Sequence, residues 1–278
     1  MIRCVGYNIK KLASNYYFYV VIAYLSLKVA IAYSRYSNLA FEMKQKTSFF
    51  DLSLMFSARE LILYVAIIAL LFCNAPFYDA SSQFSLIRVG RVKWILSQIL
   101  SIFVVSGAVI LVMCCAGIMA MLKTINFSND WGILFKSMSL TNGGLYSFSL
   151  PVILNELSPL VTFFLSLFMA WLVSVFIGMM FMCLNFFFGK VASFSSFGLL
   201  LFMHLAAPMI GLLNWGYGVT YFTPFTYADV FYAREFAVSA NRPGMGYCIF
   251  VLTLGILIFS VSTVIGFCRK DLDAGREE

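Results

Sequence analysis

Phe77–Leu100 reads FYDASSQFSLIRVGRVKWILSQIL, and its composition breaks sharply with the chain on either side. Asp79, Arg88, Arg91 and Lys93 lie inside it, between two hydrophobic blocks that each look able to cross a bilayer. At helical spacing Phe84, Ile87, Arg91 and Trp94 share one face, while Ser85, Arg88 and Lys93 point elsewhere. That pattern suits a short helix lying across a membrane surface and offering itself to a soluble partner. The expectation is a membrane body driven through a basic surface loop over 78–94.

Composition supports the membrane body. Of 278 residues, 62% are hydrophobic and 11% charged, with a mean hydropathy of +0.92. Soluble domains carry about 25% charged residues. Six spans of about 20 residues with short connections use up this length. The predicted fold is therefore all-α and integral to the membrane, a single transmembrane domain over 1–278. No stretch has the mixed composition of a soluble domain, so soluble catalytic machinery is expected on another chain.

In chain order, Met1–Asn15 places Ile2, Val5, Ile9 and Leu12 near one helical face beside Arg3, Lys10 and Lys11, an amphipathic interfacial helix. Its rival is the n-region of a signal peptide, but the apolar run that follows exceeds the usual h-region and is crowded with tyrosine. Spans are expected at 16–33, 59–77, 95–122, 160–187, 191–213 and 247–268. Ser34–Ser57 and Lys123–Leu157 read as external loops, the second with an Asn142-Gly143-Gly144 turn signal. Phe188-Gly189-Lys190 reads as a tight internal turn. Asn214–Gly246, rich in aromatics and glycine, suits a re-entrant external element before the last span, protected by protein contacts.

Orientation follows from the basic residues. Ten of them (Arg3, Lys10, Lys11, Arg88, Arg91, Lys93, Lys190, Arg269, Lys270 and Arg276) fall on one set of short connections, which places both termini in the cytoplasm and the chain in the cytoplasmic membrane. The net charge of +7 is scattered at span ends and is not a nucleic-acid footprint. The seven cysteines form no CxxC pair and read as small buried hydrophobes.

Chemistry of its own is hard to find. His204, the one histidine, has no second ligand at i+4 and reads as a packed or hydrogen-bonded side chain. No acid lies deep in any expected span, which argues against ion coupling. Neither GxSxG nor GxxxxGK[ST] occurs. No catalytic, metal or cofactor site is expected on this chain.

Four features together resemble the membrane subunit of ABC transporters of the ABC-2, or type V exporter, class. They are the amphipathic segment with Lys10-Lys11 before span 1, the loop running from Asp79 to Leu86-Ile87-Arg88-Val89-Gly90-Arg91-Val92-Lys93-Trp94, the minimal turn at Gly189-Lys190, and Thr223-Pro224-Phe225-Thr226-Tyr227-Ala228 before the last span. The RxGRxxW run is similar to that of small Gram-positive permeases. The family's acid in this loop is typically glutamate, where this chain has Asp79. The resemblance implies export of an amphiphile (a peptide, bacteriocin, antibiotic or lipid-linked molecule) by two permease chains, identical or related, with separate ATPase subunits that hold ATP and magnesium. It implies an ATPase-coupling set of Asp79, Phe84, Arg88, Gly90, Arg91 and Trp94, and an external gate of Trp215, Tyr221, Pro224, Phe225 and Tyr227. Plain orientation of the chain and binding of lipid headgroups are the rival explanation of the arginines, and an interfacial aromatic belt explains the gate residues equally well. Two other readings stay open: an immunity or receptor module that captures a membrane-active peptide without pumping it, and a membrane enzyme.

Overall fold

The apolar runs fold as helices, because a backbone that leaves water has to bond to itself. The computed structural model describes residues 2–56, 58–77, 86–133, 136, 158–212, 217–233 and 242–269. Its long helices are α1 (Ile2–Ser14), α2 (Tyr16–Glu42), α3 (Ala58–Phe72), α4 (Arg91–Met121), α5 (Pro159–Leu212) and α6 (Met245–Arg269). Two short parallel strands, β1 (Thr47–Ser48) and β2 (Ile125–Asn126), pair after α2 and α4. Short 3-10 turns fill Phe49–Phe56, Tyr217–Phe222, Pro224–Ala228 and Val230–Tyr232.

α5 runs for 54 residues but is not one rod. Gly189, at φ 81° and ψ 175°, breaks it; this backbone region is essentially reserved for glycine. The Phe181 ring meets those of Phe194 and Phe197 at 5.4 and 5.7 Å. In a straight helix positions 181 and 197 stand about 24 Å apart, so the chain doubles back at Gly189. Asn185 on one arm accepts from Ser193 Oγ on the other at 2.5 Å, and its amide donates to the carbonyls of Cys73 and Ala75.

The first arm of α5 is the shaft of the molecule. Met169, Val173, Ile177, Met180 and Phe181 are buried, as are Leu172, Val175, Met179 and Met182 on another face. A helix that is apolar all round belongs inside. α3, α4 and α6 pack against α5, and α2 lies along α4. The approach is tight at Gly178, where a Cβ would stand 2.5 Å from Ile102 of α4 and 3.1 Å from Phe72 of α3.

The outside is apolar too. Leu111 is 65% exposed, Met119 70%, Phe202 67% and Leu257 60%. Water does not tolerate so continuous an apolar surface, and lipid does. The chain is thus an all-α, multi-pass membrane protein. Among the described residues four helices have the length and apolarity to cross a bilayer: Tyr16–Glu42, Arg91–Met121, Pro159–Ala207 and Met245–Arg269. A fifth qualifies only if Phe49–Phe56 and Leu61–Phe72 count as one unit across their 71° bend.

The six expected spans map unevenly onto these helices. α3 ends at Phe72 and not Phe77; its 15 residues rise about 22 Å, short of the roughly 30 Å hydrocarbon layer. The spans expected at 160–187 and 191–213 are the two arms of α5. Ser34–Glu42, expected as loop, continues α2, because Ser37 and Ala40 are buried and Ser37 Oγ lies 3.0 Å from Thr124 Oγ1.

Contacts define two ends. At the basal end α1, the start of α4, the end of α6 and the Gly189 turn come together. At the cap end are the end of α2, the strand pair and residues 49–56. Here Asp51, fully buried, accepts from Tyr36 Oη (2.9 Å), Ser48 N (3.0 Å) and Gly132 N (3.2 Å). Thr124 joins this cap: its carbonyl accepts from Thr47 N, and its hydroxyl lies 3.0 Å from Thr47 Oγ1.

Candidate functional site

The expected coupling loop lies at the basal end. Asp79 and Phe84 fall outside the described residues. Residues 86–89 form one helical turn that Gly90 closes at φ 85° and ψ 152°, before α4 begins at Arg91. Gly90 N donates to the Leu86 carbonyl at 2.9 Å, and Trp94 N donates to the Gly90 carbonyl at 3.1 Å. The run from Leu86 to Trp94 is therefore two helical pieces set at an angle, and the single face expected for Ile87, Arg91 and Trp94 does not form. The reason lies in the backbone: Gly90 adopts an extended positive-φ conformation that no L side chain shares at low cost.

The break sends the side chains in different directions. Leu86 and Trp94 turn inward; Trp94, 2% exposed, stacks on Phe267 of α6 with ring centres 5.1 Å apart and planes 19° from parallel. Phe186, just before the Gly189 turn, meets the same Phe267 ring. Ile87 is 80% exposed, Arg88 is exposed beside it, and Arg91 is half-buried. The exposed turn is thus rooted in α4 and α6 through Leu86 and Trp94.

A polar lock joins the same base to α1. Asn8, buried on the inner face of α1 between Val5 and Leu12, donates from Nδ2 toward Ser97 Oγ and Ser101 Oγ, each at 3.3 Å. Gln98 Nε2 donates back to Asn8 Oδ1 at 3.2 Å. All four side chains are buried. Asn8 was legible only as a polar residue on an apolar helix face; Ser97, Gln98 and Ser101 repeat at helical spacing, and that spacing was the available signal.

The expected gate lies toward the other end. Trp215 falls outside the described residues. Phe225 is fully buried and meets Phe197 at 5.4 Å, so the segment folds back into the bundle alongside the second arm of α5. Pro224 opens its 3-10 turn and is buried with it. Tyr221 is half-buried; its carbonyl accepts from Tyr227 Oη at 2.7 Å and from Tyr247 Oη at 3.2 Å, and its own hydroxyl donates to the Arg242 carbonyl at 3.2 Å. Tyr221, Tyr227 and Tyr247 make one cluster, whereas Phe225 belongs to the core. His204 Nδ1 lies 2.9 Å from Thr226 Oγ1, which in turn lies 2.8 Å from Thr223 Oγ1. The histidine pins this segment to α5.

Among the described residues no three His, Cys, Asp or Glu side chains converge as metal ligands would. What the basal arrangement can do is mechanical: it presents one exposed turn and ties that turn to three helices. No family model, curated protein or solved structure matches the chain.

Proposed function

We propose that the chain is the permease subunit of an ATP-driven exporter of the ABC-2 class, crossing the membrane six times with both termini in the cytoplasm. In this reading α3, with the turn before it, supplies one crossing and the two arms of α5 supply two. The basal end faces the cytoplasm, where an ATPase subunit docks; the cap and the Tyr221–Tyr227 cluster face outward, where an amphiphilic substrate leaves. A second permease chain completes the pathway.

One observation carries the proposal. The turn at 86–89 presents Ile87 and Arg88 outward while Leu86 and Trp94 root it in α4 and α6. An apolar side chain beside an arginine is what a soluble partner's pocket recognises at an interface. A push on this turn reaches α6 through the Trp94–Phe267 stack and α1 through Asn8. The two glycine breaks, Gly90 and Gly189, both lie at this end.

The test is co-purification with the ABC ATPase of the same gene neighbourhood, and its ATP hydrolysis in reconstituted vesicles. Arg88→Glu with Arg91→Glu is expected to abolish assembly or uncouple hydrolysis from substrate. Unchanged assembly with unchanged substrate-stimulated hydrolysis removes the docking role. Substrate binding to the chain without any ATPase partner favours the immunity or receptor reading.

A further inference from the structure

We infer that the cavity between α1, the start of α2 and the end of α3 binds one anionic phospholipid, its acyl chain along the apolar wall and its phosphate at the lysine-bearing rim. The cavity holds about 580 Å³, within the range of small-molecule sites, about 300–1,000 Å³. Phe18, Val21, Leu70 and Leu71 supply the apolar wall, and Lys11, Asn15 and Asn74 supply polar groups. Lys11 Nζ donates to the Phe77 carbonyl at 2.9 Å, which fixes its ammonium at the rim. Lys190, from the Gly189 turn, donates to Asn74 Oδ1 at 3.0 Å and brings a second ammonium to the same side. Among the described residues no aspartate or glutamate lines it.

The depth of the cavity selects its occupant. α1 turns Val5 and Leu12 inward and leaves Arg3 and Lys10 exposed, so it lies along the boundary between headgroups and acyl chains. Asn15 ends α1 and caps α2 at that level. Tyr17 and Leu70, 60% and 57% exposed, edge the opening on the lipid-facing surface. A molecule entering there comes from the bilayer and meets both an apolar wall and a cationic rim. Basic pockets between membrane helices hold anionic headgroups in this way. The inference needs only the membrane setting of the chain and stands apart from the exporter reading.

Native mass spectrometry of the full-length, detergent-purified chain tests it. The titrants are phosphatidylglycerol and phosphatidylcholine with identical acyl chains. One phosphatidylglycerol is expected to bind in preference to phosphatidylcholine, and Lys11→Gln and Lys190→Gln are each expected to lower that preference about five-fold. Leu70→Trp, which fills the apolar wall, is expected to weaken both lipids. Equal binding of the two lipids by the unaltered chain overturns the inference, as does an unchanged preference in the two lysine variants. Displacement of the lipid by millimolar inorganic phosphate also overturns it, by showing a phosphate site without an acyl component. Should Lys11→Gln fail to fold, Lys190→Gln and Leu70→Trp carry the test, and unaltered lipid binding in both overturns the inference.

Discussion

The two ends of this molecule are built on different principles. At the cap, one buried carboxylate and one threonine cross-link the end of α2, β1, β2 and Gly132 through short polar bonds. At the base, the segments meet through an aromatic stack and a side-chain amide network, and the chain changes direction at two glycines with positive φ. The base has breakpoints and an outward-facing turn. An end that has to accept force from elsewhere needs that combination, and an end that anchors helices does not.

The largest test of this contrast is Trp94→Ala. It removes the ring that stacks on Phe267 and opens a void at the root of the exposed turn, with an expected loss of about 3–5 kcal/mol. Thermal unfolding in detergent reads it, and a loss below that of an exposed apolar residue such as Val92 would show that the stack does not hold the base together. Asp51→Ala comes next. It leaves Tyr36 Oη, Ser48 N and Gly132 N without their shared acceptor, at a cost of about 3 kcal/mol, while Asp51→Asn keeps an acceptor oxygen and costs less. Equal unfolding midpoints for the two variants would mean that the carboxylate does not organise the cap.

Gly90→Ala is the smallest and the most discriminating. Among the described residues no atom outside its chain neighbours lies within 4 Å of a Cβ built there, so the expected penalty is that of the backbone, about 1–3 kcal/mol. Hydrogen exchange at 86–94 should rise in this variant while the cap residues keep their protection. Uniform exchange across both ends would remove the distinction between a breakpoint and an anchor.

Much of this was legible in the sequence, because lipid is a strict solvent. Long apolar runs with a glycine and a lysine between them, as at Gly189-Lys190, leave few options but a helical hairpin. The start of α6 follows from a similar constraint. What escaped is what depends on tertiary partners. Ser34–Glu42 looks like loop by composition, yet it is helix, since Ser37 and Ala40 find buried neighbours. Asp51 looks like a loop acid until its three donors are in place. Trp94 looks like an interfacial anchor, and only the φ of Gly90 reveals that it faces Phe267. The shortness of α3 is also tertiary: the bend before it lets residues 49–56 pack on α5.

The proposed orientation puts the turn at 86–89 on the cytoplasmic face, open to a docking protein. An Arg88→Cys variant, treated with a membrane-impermeant maleimide in intact cells and in inverted membrane vesicles and read by peptide mass spectrometry, tests it directly. Labelling at position 88 is expected in inverted vesicles alone, with protection there once the proposed ATPase subunit is bound. Labelling at that position in intact cells would contradict it.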